Sequence, residues 1–134
     1  MTGRQIELVQ QSFQEIKRIS VQSARLFYQC LFELEPSLLP MFRGEDQGRR
    51  LMQTIGAVVG SLRRPDRIPF AIADRQAGFR VREEHYPAVG FALLWALRQG
   101  LGAAFTPEVC EAWIAMYDTV AAVMRQGAPA SQAA

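Results

Sequence analysis

The chain contains little of several reactive residue types, and each shortage narrows the possible functions. Its 134 residues include one histidine, one lysine and two cysteines. A single histidine leaves no candidate for a Ser-His-Asp triad, and the sequence shows neither metal-ligand spacing nor a phosphate-binding loop. These shortages argue against an independent enzyme.

Long apolar runs are also missing. No run approaches the roughly 18–20 residues that a membrane span needs, and the uncharged stretch at 86–97 is too short. Residues 1–4 (MTGR) lack the charged and then apolar pattern of a signal peptide. Cys30 and Cys110 lie in apolar periodic segments, where buried thiols are expected rather than a disulfide. We therefore expect a cytoplasmic protein that does not associate with a membrane.

Arginine, in contrast, is abundant. Nine of the 14 arginines fall between Arg43 and Arg82, where there are only four acidic residues. Such a cluster can be a solvated surface, a nucleic-acid patch, or a set of guanidinium groups that meet the carboxylates of a ligand. Because no nucleic-acid-binding motif or interleaved aromatic residues accompany it, we expect no nucleic-acid partner.

Apolar residues recur at helical spacing along the whole chain, without the alternation typical of strands. Residues 2–5 have capping-box spacing, Ser20 is predicted to cap a second helix, and Thr106 with Pro107 forms a further helix start. Helices are predicted at about 3–19, 20–34, 46–62, 69–78, 87–100 and 107–125, with a short turn at 36–40. The sequence thus predicts an all-α protein of six to eight helices, with one domain at 1–126 and a disordered tail at 127–134.

Several segments resemble single-domain bacterial globins and the globin domain of flavohaemoglobins. They keep the order and approximate spacing of that family: residues 26–36 (LFYQCLFELEP), 38–42 (LLPMF), 47–52 (QGRRLM), 81–90 (VREEHYPAVG), 92–94 (ALL) and 105–109 (FTPEV), followed by Trp113 and Tyr117. The resemblance implies a globin fold, a three-over-three helical sandwich, although periodicity alone would equally allow a bundle. It also implies haem as cofactor, a small diatomic gas as ligand and, by analogy, a homodimer through the last two long helices.

The resemblance assigns roles on the distal side of a haem. Tyr28 matches a tyrosine that hydrogen-bonds the gas ligand, and Phe42 matches a phenylalanine that packs flat on the haem. Gln47 matches the distal gate residue. Leu51 matches the apolar residue one turn further along the same helix face. Read without the resemblance, Tyr28 and Phe42 are ordinary core aromatics and Gln47 is a surface residue at a helix start.

On the proximal side the chain departs from the family. Where relatives have the iron-binding histidine, the spacing to the 81–90 segment places Gln76. The resemblance sets Phe79 and Val81 along the cofactor and Tyr86 at a position that supports the histidine. The only histidine, His85, belongs to the next segment, where a partly exposed residue at a helix start is expected. The candidates for the iron ligand are therefore Gln76, His85 and Tyr86.

Two functions remain open. An amide oxygen is a weak, neutral acceptor and a poor substitute for imidazole, yet burial of a porphyrin's apolar surface itself favours binding. The first is a haem-binding globin with unusual or weak iron ligation, which would act in gas or redox sensing or in haem handling rather than in simple oxygen storage. The second is a haem-free module. The haem-free module would bind a bilin, a fatty acid, another flat apolar ligand or a protein partner.

Overall fold

The computed structural model describes residues 1–42, 47–69 and 83–133, and these residues form helices joined by short turns. The α-helices are α1 (Gly3–Arg18), α2 (Ser20–Leu34), α3 (Gln47–Gly60), α4 (Tyr86–Leu101) and α5 (Pro107–Ala133). The 3-10 turns cover Pro36–Phe42, Pro65–Arg67, Glu83–His85 and Gly102–Ala104. The described part of the chain contains no strand, so the prediction of an all-α fold is confirmed.

Helix α1 begins with the predicted capping box. The Thr2 hydroxyl accepts from the Gln5 backbone N–H at 3.1 Å, and the Gln5 side chain accepts from the Thr2 N–H at 3.0 Å. These two bonds satisfy groups that the first helical turn leaves without partners. The helix then buries one apolar stripe formed by Ile6, Leu8, Val9, Phe13 and Ile16.

Helix α2 starts at the predicted residue, but the prediction that Ser20 caps it is wrong. Ile19 serves both as the last cap of α1 and as the first cap of α2, and no side-chain hydrogen bond caps α2. With no linker between the helices, the backbone N–H of Ser23 bonds directly to the Ile19 carbonyl at 2.9 Å. Ser20 is therefore already inside the first turn, where it cannot act as an N-cap.

The later helices follow the predicted order with small shifts of their ends. Helix α4 has Pro87 in its first turn and ends where Gly102 takes a positive φ of 56°. The Thr106 hydroxyl accepts from the Val109 N–H at 3.3 Å and so caps α5 as predicted. Helix α5 continues to Ala133. The disorder expected at 127–134 stays a prediction.

The core has two parts. The larger one gathers α1, α3, α4 and α5 around Trp113, whose side chain is fully buried. The Trp113 indole N–H donates to the Ser12 hydroxyl at 2.8 Å and links α5 to α1. The smaller one packs α2 against α4 through Phe27, Leu31 and Ala92. This second contact holds the inner face of α2 in the position from which Tyr28 projects.

Part of the predicted chain lies outside the description. Of the predicted helix at 69–78 only its first residue is described, and of the predicted corner at 79–84 only the last two. Cys30 is buried and Cys110 is half-buried, and both are free thiols. Among the helices described, none is long and apolar enough to cross a membrane.

Candidate functional site

Tyr28 and Gln47 meet where α2 crosses the start of α3. The Tyr28 hydroxyl donates to the Gln47 backbone carbonyl at 3.2 Å. The Tyr28 ring is half-buried, edge-on to Phe27 at 5.1 Å and stacked with Phe32 at 5.7 Å between centroids. The structure therefore brings together two of the residues predicted on the distal side.

Small side chains make this crossing possible. A Cβ on Gly48 would lie 3.2 Å from the Cβ of Ala24, which is closer than most contacts of this kind. Gly48 follows Gln47 directly, and Ala24 lies one turn before Tyr28 on the same face of α2. The close approach of the two backbones thus places the Tyr28 ring within reach of the first residue of α3.

Burial also fixes the protonation of this tyrosine. Desolvation raises the pKa of Tyr28 well above its ordinary value, since the phenolate would lose its hydration. The hydroxyl therefore remains a hydrogen-bond donor at neutral pH. Its proton is donated to the Gln47 carbonyl.

Leu51 lies one turn after Gln47 and packs, with Tyr28, against the smaller core cluster. It also lines an apolar cavity of about 20 Å³. Ser23 is the polar residue of this lining, and its buried hydroxyl has no hydrogen-bond partner among the described residues. A space of this size admits a single water or diatomic molecule, and the nearly apolar lining favours the less polar one.

A larger groove runs along α1, α2 and α3 and includes Tyr28 and Gln47 in its wall. Its volume is about 1010 Å³, at the upper limit of ordinary small-molecule sites. Helix α1 contributes Gln10, Phe13, Gln14 and Lys17 to it. The distal pair is therefore open to a surface groove on the α1 side.

The two described proximal candidates lie side by side at the start of α4. The His85 side chain is only 13% exposed, and its buried Nδ1 has no hydrogen-bond partner in the described part of the chain. Its Nε2 is 3.8 Å from the Glu84 carboxylate. The Tyr86 carbonyl accepts a short hydrogen bond of 2.6 Å from the Tyr117 hydroxyl of α5, which fixes the beginning of α4.

Four predicted site residues are not described in this detail. Phe42 ends the 3-10 turn Pro36–Phe42, but its side chain is not among those described. Gln76, Phe79 and Val81 lie outside the described residues altogether. Over residues 1–42, 47–69 and 83–133, no group of three or more histidine, cysteine or acidic side chains can hold a metal ion.

Sequence reasoning missed two contributions to this region. Tyr117 was one of the residues that carry the resemblance, without a role of its own, and nothing in the sequence indicated its bond to Tyr86. The polar residues Gln10, Gln14 and Lys17 recur at helical spacing beside the buried stripe of α1. That spacing was the available signal for the groove, but it is equally typical of a solvated face.

Comparison with known proteins gives a consistent assignment. The sequence profile described as Globin matches residues 25–124. The chain is 27% identical over 129 residues to the flavohemoprotein of Bacillus subtilis, covering 90% of this chain and 32% of that protein. It is 30% identical over 132 residues to the flavohemoprotein of Deinococcus radiodurans, covering 92% and 33%. The flavohemoprotein of Rhizobium meliloti is 31% identical over 107 residues, covering 73% and 26%. The chain thus spans about a third or less of the length of these relatives.

Proposed function

Because the chain belongs to the globin family, we propose that it binds haem in a pocket whose distal wall is formed by Tyr28, Gln47 and Leu51, and whose iron lacks the usual histidine. Bound haem supplies an iron centre for reversible gas binding and one-electron redox change. The protein's own contribution is a protonated phenol, an amide and an apolar side chain.

The observation that carries this proposal is the contact between Tyr28 and Gln47. The Tyr28 hydroxyl bonds to the Gln47 backbone where α2 crosses the start of α3, and burial raises the pKa of this phenol. A tyrosine and a glutamine at these places are what the resemblance to flavohaemoglobins implies for the distal side. The Gln47 amide can donate a hydrogen bond to a ligand in the pocket, and the Tyr28 hydroxyl can do so when its proton turns from the Gln47 carbonyl to the ligand.

The iron side distinguishes this chain from a simple oxygen store. Gln76 offers only an amide oxygen. The His85 imidazole is nearly buried and has a ring nitrogen without a partner among the described residues, so it fits the role of a recruited nitrogen donor. Tyr86 is the alternative, as a tyrosinate that favours ferric iron. A weak or unusual ligand suits gas or redox sensing or haem handling.

Titration of the purified protein with haemin tests this proposal. A saturating Soret band at one haem per chain is expected, and Gln76→His should tighten haem binding and shift the spectrum toward that of an ordinary globin. His85→Ala and Tyr86→Phe then identify the ligand. The absence of any saturable change with haemin would contradict the proposal, and a spectrum unaffected by both variants would exclude both residues as ligands.

One observation favours the second candidate, a haem-free binding module. The Tyr28 hydroxyl is bonded to the protein's own backbone, so the distal tyrosine has a structural use without a cofactor. In that case biliverdin or another flat apolar ligand would bind in place of haem. A parallel titration with biliverdin separates the candidates, since a module of this kind saturates with biliverdin and not with haemin.

A further inference from the structure

Helices α4 and α5 leave apolar side chains exposed on a surface that they share. Phe91 of α4 is 58% exposed and Ile114 of α5 is 41% exposed, and both line one open depression of about 220 Å³. The half-buried Leu94 lies between them in the same lining. We call these three residues the apolar patch. Since such a surface gains free energy when it is covered, the patch is suited to contact with another molecule.

The depression beside Phe91 suits a single side chain. Its volume lies below the range of ordinary small-molecule sites, so a cofactor or metabolite would not be enclosed in it. Pro87, Leu94 and Ile114 contribute an apolar wall. Aromatic side chains that fill sockets of this kind at the centre of an interface supply much of the binding free energy. A ring that projects from another protein surface is therefore the occupant that fits.

Opposite charges lie at the two ends of the apolar patch. A short connection at 102–106 joins α4 to α5, so the two helices are antiparallel neighbours. Asp118 lines the depression beside Phe91, whereas Arg98 follows Phe91 by two helical turns, about 10 Å, on the same face of α4. Both charged side chains are exposed, and neither forms an ion pair within the described part of the chain. The surface thus has an anionic end and a cationic end.

We propose that this surface binds a second copy of the chain, with Phe91 of each copy in the depression of the other and Arg98 of each copy beside Asp118 of the other. A two-fold axis sets one patch against an identical patch that runs in the reverse direction. The reversal brings the cationic end of one copy to the anionic end of the other. Both rings and both charge pairs are then used, which favours a second copy over an unrelated partner.

The resemblance implied a homodimer only by analogy, whereas this assignment is carried by the exposure, the shape and the charges of one surface. The interface includes none of the residues proposed to form the distal wall or to bind iron. Dimerisation is therefore separate from the proposed haem function and is tested without added haemin.

Sedimentation equilibrium of the purified chain over a range of concentrations tests the apolar contact. A reversible monomer–dimer equilibrium is expected. Phe91→Glu and Ile114→Glu each place a carboxylate in the interface twice, and each should raise the dissociation constant of the dimer by at least about tenfold.

Val21→Glu is the matched control, because it makes a similar change at an apolar residue of α2 that is 72% exposed. It should leave the dissociation constant unchanged. All three side chains are exposed, so folding is expected to be retained, and circular dichroism verifies this. A monomer at every concentration would overturn the proposal. Equal weakening by the control, or a dimer unaffected by both patch variants, would also overturn it.

Charge exchange tests the pairing of Arg98 with Asp118 and leaves the apolar patch intact. Arg98→Asp and Asp118→Arg should each weaken dimerisation by about fivefold, since like charges then face each other at two places. The double variant should recover the wild-type dissociation constant, and added salt should weaken the wild-type dimer. A double variant that dimerises no better than either single variant would overturn this arrangement.

The size of the assembly gives the remaining outcomes. A two-fold contact uses its surface completely, so the assembly should end at the dimer. Growth into larger species with rising concentration would overturn the two-fold arrangement. A dimer that forms only after haemin is added would contradict the independence of this interface from the haem site.

Discussion

The Tyr28 hydroxyl is bonded to the backbone carbonyl of Gln47, 19 residues further along the chain, at 3.2 Å. This bond links the middle of α2 to the first residue of α3, across a crossing where a Cβ on Gly48 would lie 3.2 Å from the Cβ of Ala24. One side chain thereby both secures the start of a helix and faces the proposed ligand pocket.

Tyr28→Phe should destabilise the fold by about 0.5–1.5 kcal/mol, the usual net value of one hydrogen bond. The ring contacts with Phe27 and Phe32 remain in this variant, so the loss reports the hydroxyl alone. Urea unfolding followed by circular dichroism measures the change. An unchanged free energy of unfolding would show that the Gln47 carbonyl finds an equivalent partner in water.

The same residue predicts a loss of stability at alkaline pH. Its pKa is raised in the folded state, so the unfolded chain releases the phenolic proton first, near its ordinary value of about 10. The stability that depends on the neutral phenol is complete below that pH and decreases above it. The stability difference between wild type and Tyr28→Phe should therefore narrow as the pH rises above about 10. A difference that stays constant would contradict the raised pKa.

Gly90→Ala should destabilise the protein although alanine is the better helix former. A Cβ at this position of α4 would lie 2.9 Å from the Tyr117 ring, which is held in place by its bond to the Tyr86 carbonyl. We expect a net loss of about 1 kcal/mol, since overpacking outweighs the gain in helix propensity. Thermal unfolding provides the measurement. Gly60→Ala, where nothing lies within 4 Å of the added Cβ, is the control and should cause no such loss.

Ser12→Ala should lower the free energy of unfolding more than a conservative substitution usually does. Its hydroxyl accepts from the fully buried Trp113 at 2.8 Å and donates to the Leu8 carbonyl at 2.7 Å. Removal leaves the indole N–H without this partner in the core, at a cost of about 1–3 kcal/mol. Ser61→Ala, whose hydroxyl bonds only a carbonyl of its own helix region at 2.8 Å, should cost much less. Denaturant unfolding of both variants compares them, and equal losses would contradict this role of Ser12.

Most of the helices could be predicted from local patterns, because helix starts depend on neighbouring residues. The capping box at Thr2 and the cap at Thr106 appear as predicted. The Ser20 cap failed because α2 follows α1 without a linker, and the conformation of Ile19 is set by the packing of both helices. A propensity at one residue could not reveal that junction.

The candidate site was predictable in part. The resemblance placed Tyr28, Gln47 and Leu51 along the chain, and the fold brings Tyr28 and Gln47 into contact. The bond from Tyr117 to Tyr86 and the groove beside α1 join residues from different helices. Neither has a pattern in the sequence that distinguishes it from an ordinary amphipathic surface.

By itself, the sequence determined the helical periodicity, the main helix starts and the family resemblance, because each depends on residue types at fixed spacing. The place of Gln76 at the proximal position stays a prediction from that resemblance. Only the tertiary structure decided that the Tyr28 hydroxyl bonds to the Gln47 backbone, that burial raises the pKa of this phenol, and that Lys17, Arg25 and Arg49 line one groove. These properties depend on how closely two helix backbones approach, and that distance is set by packing across the whole domain.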